Sequence, residues 1–73
     1  MKKHEVKNNQ AVAVILKDRR KQLGITQKSL ADFCNLSHNG ISRIELGKSD
    51  VQLSTLAKMS KILGFKIIFE MEE

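Results

Sequence analysis

Apolar side chains recur at helical spacing along most of this chain and switch to strict alternation at its end. Val12, Ile15, Leu16 and Leu23 share one face of a segment that begins after Asn8 or Asn9, either of which can cap it, and stops at Gly24. Leu30, Ala31 and Cys34 form the apolar face of a shorter segment, about Gln27 to Cys34, with Thr26 as its cap. Asn35 tolerates the left-handed conformation that a tight turn needs. Ser37 caps a third helix that runs to about Leu46, with Leu36, Ile41 and Ile44 as apolar contacts and Gly47 as its stop. A fourth, about Leu53 to Leu63, turns Leu53, Leu56, Met59 or Ser60, and Leu63 inward and ends at Gly64.

After Gly64 the period becomes two. Phe65, Ile67, Phe69 and Met71 alternate with mostly charged positions, the pattern of a half-buried strand. A fifth helix is the rival reading, but β-branched and aromatic residues dominate after a clear glycine stop. One strand cannot satisfy its own backbone hydrogen bonds, and no second candidate exists in the chain, so the expectation is pairing with the same strand of another copy. The organisation expected is therefore a flexible basic arm over 1–9, an all-α four-helix domain over 10–64, and a dimerisation strand with an acidic tail over 65–73.

The stretch Thr26 to Lys48, TQKSLADFCNLSHNGISRIELGK, carries the chemistry. Two short helices join through a tight turn, and the second opens on small polar side chains suited to base edges. This is the pattern of a helix-turn-helix, whose second helix enters the DNA major groove; the plain alternative is a helical hairpin with no nucleic-acid role. Charge favours the first reading. Thirteen Lys and Arg against eight Asp and Glu leave a net charge of +5, which suits a polyanionic partner. The distribution is polar as well: residues 1–28 hold eight basic side chains against Glu5 and Asp18, while Glu70, Glu72 and Glu73 close the chain.

Other chemistries lack support. Cys34 is the one cysteine, so no intrachain disulfide can form, and its apolar helix position reads as a small buried thiol. His4, Cys34 and His38 have no zinc spacing, and no catalytic triad, phosphate loop or paired carboxylate stands out, so neither metal, cofactor nor catalysis is expected. Without a long apolar run or a hydrophobic leader after MKKHEVKNN, no membrane association is expected, and the cytoplasm is the simplest location.

The run RRKQLGITQKSLADFCNLSHNGISRIELGK resembles the Cro and phage-repressor superfamily of helix-turn-helix regulators, over about residues 11–64. With its short length, the segment Ser-Arg-Ile-Glu-Leu-Gly-Lys and a terminal strand pattern in place of a fifth helix, it most resembles HipB-type antitoxins, small dimeric repressors encoded beside a HipA-type serine/threonine kinase toxin. The resemblance implies a palindromic double-stranded DNA operator, a homodimer and a HipA-type kinase as partners. It implies base contacts from Ser37, His38, Asn39 and Arg43, where Asn suits adenine and Arg suits guanine. Gln27 falls at the phosphate-binding start of the second helix, and Lys28, Ser42 and Lys48 are further phosphate candidates. Arg20 and Glu45 match a salt bridge of relatives, with Arg20 also a candidate phosphate ligand; Lys17, Arg19 and Lys21 read as a solvated basic face. Asn35 stands where relatives usually have Gly, and Leu46 replaces a usual polar residue, which suits a protein contact. Within this frame the alternatives are a solitary phage-type or host regulator, and a kinase-inhibiting interaction module with weak DNA binding.

Overall fold

The computed structural model describes residues 2–72, and its elements are four helices: α1 Asn9–Gln22, α2 Gln27–Cys34, α3 His38–Glu45 and α4 Leu53–Leu63. Local chemistry sets the boundaries. Asn8, Thr26 and Ser37 each hold an extended backbone and accept a hydrogen bond from the amide three residues on, Ala11, Ser29 and Gly40 respectively. At the other ends, Asn35 (φ 57°) closes α2 and Gly64 (φ 71°) closes α4 in the left-handed region. The expected turn role of Asn35 is thus met in its backbone.

All four helices feed one core. Leu16 from α1, Leu30, Ala31 and Cys34 from α2, Ile41 and Ile44 from α3, and Met59 and Leu63 from α4 form a contiguous buried cluster, with Leu36, Leu56 and Phe65 packed on its edge. Burying such side chains stabilises by about 1.5–3 kcal/mol each, which a chain this short needs. Burial pushes the Cys34 thiol above its ordinary pKa, against the opposing charge of Lys58. It is a core thiol, held protonated.

Three expectations need correction. Leu23 is 43% exposed, because α1 ends one residue earlier and the chain turns away through Gly24. Leu53 is 61% exposed, because it starts α4 before the stripe that meets the core. The third concerns the tail: no strand occurs among the described residues, and residues 65–72 run without helix or ladder. A ladder needs a second edge, and this chain supplies none. The outer residues of the arm and the acidic tail, Met1 and Glu73, lie outside the described residues. Ile67, Ile68, Phe69 and Met71 are exposed, at 44%, 70%, 79% and 76%.

Candidate nucleic-acid interface

Helix α3 is two-sided. Ile41, Ile44 and Glu45 face inward, so His38, Asn39, Ser42 and Arg43, at spacings of three and four, share the outer face. His38, Asn39 and Arg43 are exposed and Ser42 is half-buried. Ser37 sits at the start of this face with its oxygen engaged by the Gly40 amide at 2.9 Å. Lys28 on α2 and Lys48 beyond α3 are exposed. Arg43 is steadied by Ser49, whose hydroxyl accepts from its Nε at 3.2 Å. This contact was not foreseen, since only the fold of the loop after α3 brings Ser49 back to that side chain.

Behind this face lies an ion pair. Arg20 donates from Nε to Glu45 Oε2 at 2.6 Å and from Nη2 to Oε1 at 2.9 Å, and its Nη1 donates to the Ile25 carbonyl at 2.8 Å. The two residues are 8% and 6% exposed. The pair ties α1 to the end of α3, and the third bond ties it to the loop before α2. Alone, burial would raise the Glu45 carboxyl; the hydrogen bonds from Arg20 and Gln27, with the charges of Arg20 and Lys17, outweigh it and hold the group below its ordinary pKa. The guanidinium is turned into the interior with every nitrogen engaged once, which leaves one N–H on each of Nη1 and Nη2 for the phosphate role expected of Arg20.

Gln27 extends the network outward. Its Nε2 donates to Glu45 Oε1 at 3.0 Å, and its Oε1 lies 2.9 Å from His38 Nε2. The first residue of α2 and the first residue of α3 are thereby joined. Arg19, read as part of a solvated face, is half-buried and donates from Nε to the Leu63 carbonyl at 2.7 Å, so it stitches α1 to the end of α4. Sequence offers no signal for that bond, since the acceptor is a backbone carbonyl 44 residues away. Among the described residues, no group of three metal-ligating side chains converges, and no helix is long and apolar enough to cross a membrane.

Two short helices about a left-handed turn, with a polar outer face on the second and a salt bridge clamping it from behind, define a helix-turn-helix module. The chain belongs to the helix-turn-helix family of the Cro/C1 type: the family model HTH_3, described as Helix-turn-helix, matches residues 16–69. It is 39% identical over 54 residues to the SPbeta prophage-derived uncharacterized HTH-type transcriptional regulator YonR of Bacillus subtilis (strain 168), covering 74% of this chain and 50% of that protein. It is 36% identical over 52 residues to the HTH-type transcriptional regulator PuuR of Escherichia coli (strain K12), covering 71% and 28%. The chain therefore spans half or less of the length of these two relatives. Among solved structures, it superimposes on a chain of a HipB–O2 20mer complex with a TM-score of 0.79 at 22% identity, covering 99% of this chain and 100% of that one. A chain of a HipA–HipB–O2–O3 complex gives 0.78 at 22%, covering 97% and 100%. At that identity the likeness is one of fold.

Proposed function

We propose that this chain is a sequence-specific DNA-binding repressor in which α3 enters the major groove. The observation that carries this reading is the outer face of α3, where Ser37, His38, Asn39, Ser42 and Arg43 stand together on a module of the helix-turn-helix family in a chain of net charge +5. Ser37, His38, Asn39 and Arg43 read base edges; Gln27, Lys28, Ser42 and Lys48 hold phosphates. The protein acts as a homodimer on a palindromic operator. Phe65, Ile67, Phe69 and Met71 form the apolar side of a strand that pairs with the same strand of a second copy. Three large apolar side chains in that tail, Ile68, Phe69 and Met71, are more than two-thirds exposed in the single chain, which supports a partner there.

The finer reading is that of an antitoxin that represses its own operon and neutralises a HipA-type serine/threonine kinase. Its support is the match of fold over 99% of this chain, tail included, to a chain of a HipB–O2 20mer complex, and the occurrence of that fold in a HipA–HipB complex. A solitary prophage-type regulator is the second reading, favoured by the prophage-derived relative at 39% identity. An electrophoretic shift on the DNA upstream of its own gene tests the common part, with binding that weakens linearly in log salt expected. Absence of any salt-sensitive, sequence-selective shift refutes DNA reading. Co-expression with the product of the adjacent gene separates the two finer readings: a kinase whose toxicity this chain relieves, with a stable complex, supports the antitoxin, and the absence of either supports the solitary regulator.

A further inference from the structure

The first residue of α3 is held by a chain of polar contacts that starts in the interior, and this chain has a direction. Arg20 donates to both oxygens of Glu45, so that carboxylate acts only as an acceptor. Gln27 places its amide against Oε1 of Glu45 at 3.0 Å. Turned over, the amide would set oxygen against oxygen, so its NH2 faces inward and its carbonyl faces His38. That carbonyl lies 2.9 Å from His38 Nε2 and can only accept, so Nε2 must carry the hydrogen. In the neutral ring Nδ1 is then a lone-pair acceptor. It makes no hydrogen bond among the described residues, and the side chain is exposed.

Building on the DNA-reading role above, we propose that Gln27 fixes the tautomer of His38, so that the recognition helix opens with an outward acceptor selecting an exocyclic amino group of adenine or cytosine. In the major groove those amino groups are the donors, whereas guanine O6 and N7 and thymine O4 are acceptors that an Nδ1 lone pair repels. A histidine free to change tautomer would accept either kind of edge. Held by Gln27, it discriminates. The buried ion pair thereby sets the polarity of a side chain that it does not touch, and Gln27 is the positioning residue between them.

Two measurements test this. Long-range 1H–15N spectra of the free protein at about pH 8, above the ordinary histidine range, report which ring nitrogen carries hydrogen, and exposed His4 is the reference in the same sample. His38 is expected wholly in the Nε2–H form, while His4 shows the solvent mixture. Gln27→Leu should bring His38 to the His4 pattern, with amide shifts changing only around Gln27, His38 and the Arg20–Glu45 pair. A wild-type His38 that matches His4 or carries hydrogen on Nδ1, or a Gln27→Leu spectrum with His38 unaltered, overturns the proposal.

The second measurement locates the base by comparing wild-type and His38→Ala selections from a randomised duplex library, then replaces its amino group by hydrogen, purine for adenine or 2-pyrimidinone for cytosine. Wild type should lose affinity about tenfold, the size of one good base contact, and Gln27→Leu and His38→Ala should lose almost nothing more. Equal losses in all three proteins, or a wild type indifferent to the change, overturn base selection by His38. If wild type selects no sequence at all, DNA reading itself fails, and with it the base-selecting half, while the spectra still decide the tautomer.

Discussion

Removing one partner of the Arg20–Glu45 pair should be close to the largest single perturbation this domain can take. Both side chains are almost fully buried, only 10% and 3% exposed, and are joined by two hydrogen bonds. Breaking a buried pair by deleting one partner costs about 3–5 kcal/mol, against about 0–1 kcal/mol for an exposed pair. A chain of 73 residues holds only about 4–11 kcal/mol in all, so either single change should bring it near unfolding.

The two variants should nevertheless differ with pH. In Arg20→Ala the Glu45 carboxylate keeps the Gln27 bond but loses its counter-charge. Burial then raises its pKa above the unfolded value, so the variant recovers stability as pH falls and the group takes up a proton. In Glu45→Ala the guanidinium cannot deprotonate, so this variant itself regains no stability on acidification. The double replacement Arg20→Met with Glu45→Leu should regain most of the loss, since it leaves no buried charge. Urea denaturation at fixed protein concentration, with wild type, Arg20→Met, Glu45→Leu and their double as a cycle, should give a coupling of at least about 1 kcal/mol. Additive single effects under about 1 kcal/mol each, with DNA binding alone impaired in Arg20→Ala, would refute the structural role and return Arg20 to the phosphate.

In the wild type the sign is opposite: Glu45 has its folded pKa below its unfolded value. Its contribution is therefore complete above about pH 4.3 and lost as pH falls through the folded value, so the urea midpoint should drop on acidification and do so less in Glu45→Gln. For the tail, Phe69→Glu should leave the helical far-ultraviolet signal unchanged and yield a monomer by sedimentation, because Phe69 is 79% exposed in the single chain; an unchanged dimer would exclude the strand as the interface. On DNA, Arg43→Ala or Asn39→Ala should alter preference at particular base pairs. Lys48→Ala should weaken all sequences alike and reduce the salt slope by about one unit, which footprinting on a substituted operator series would check. At the end of α4, Gly64→Ala should cost about 1–2 kcal/mol, because φ of 71° is strained for any side chain with a Cβ; a melting temperature equal to wild type would contradict this.

The sequence determined the parts of this protein whose causes are local. Caps at Asn8, Thr26 and Ser37, the left-handed Asn35 and the apolar spacings of Leu30, Ala31 and Cys34 act within a few residues, so the four helices and the two-sided α3 were legible from the chain alone. The Arg20–Glu45 pair came from resemblance, since 25 residues separate its members and no period in the chain links them. Tertiary structure alone decided what depends on which surfaces meet. It placed Arg19 on the Leu63 carbonyl, left Leu23 and Leu53 outside the core, and ran a polar chain from Arg20 through Gln27 to His38. The alternating tail marks the boundary between the two. Its pattern is written in the sequence, but a strand is a relation between two edges, and no second edge meets it among the described residues.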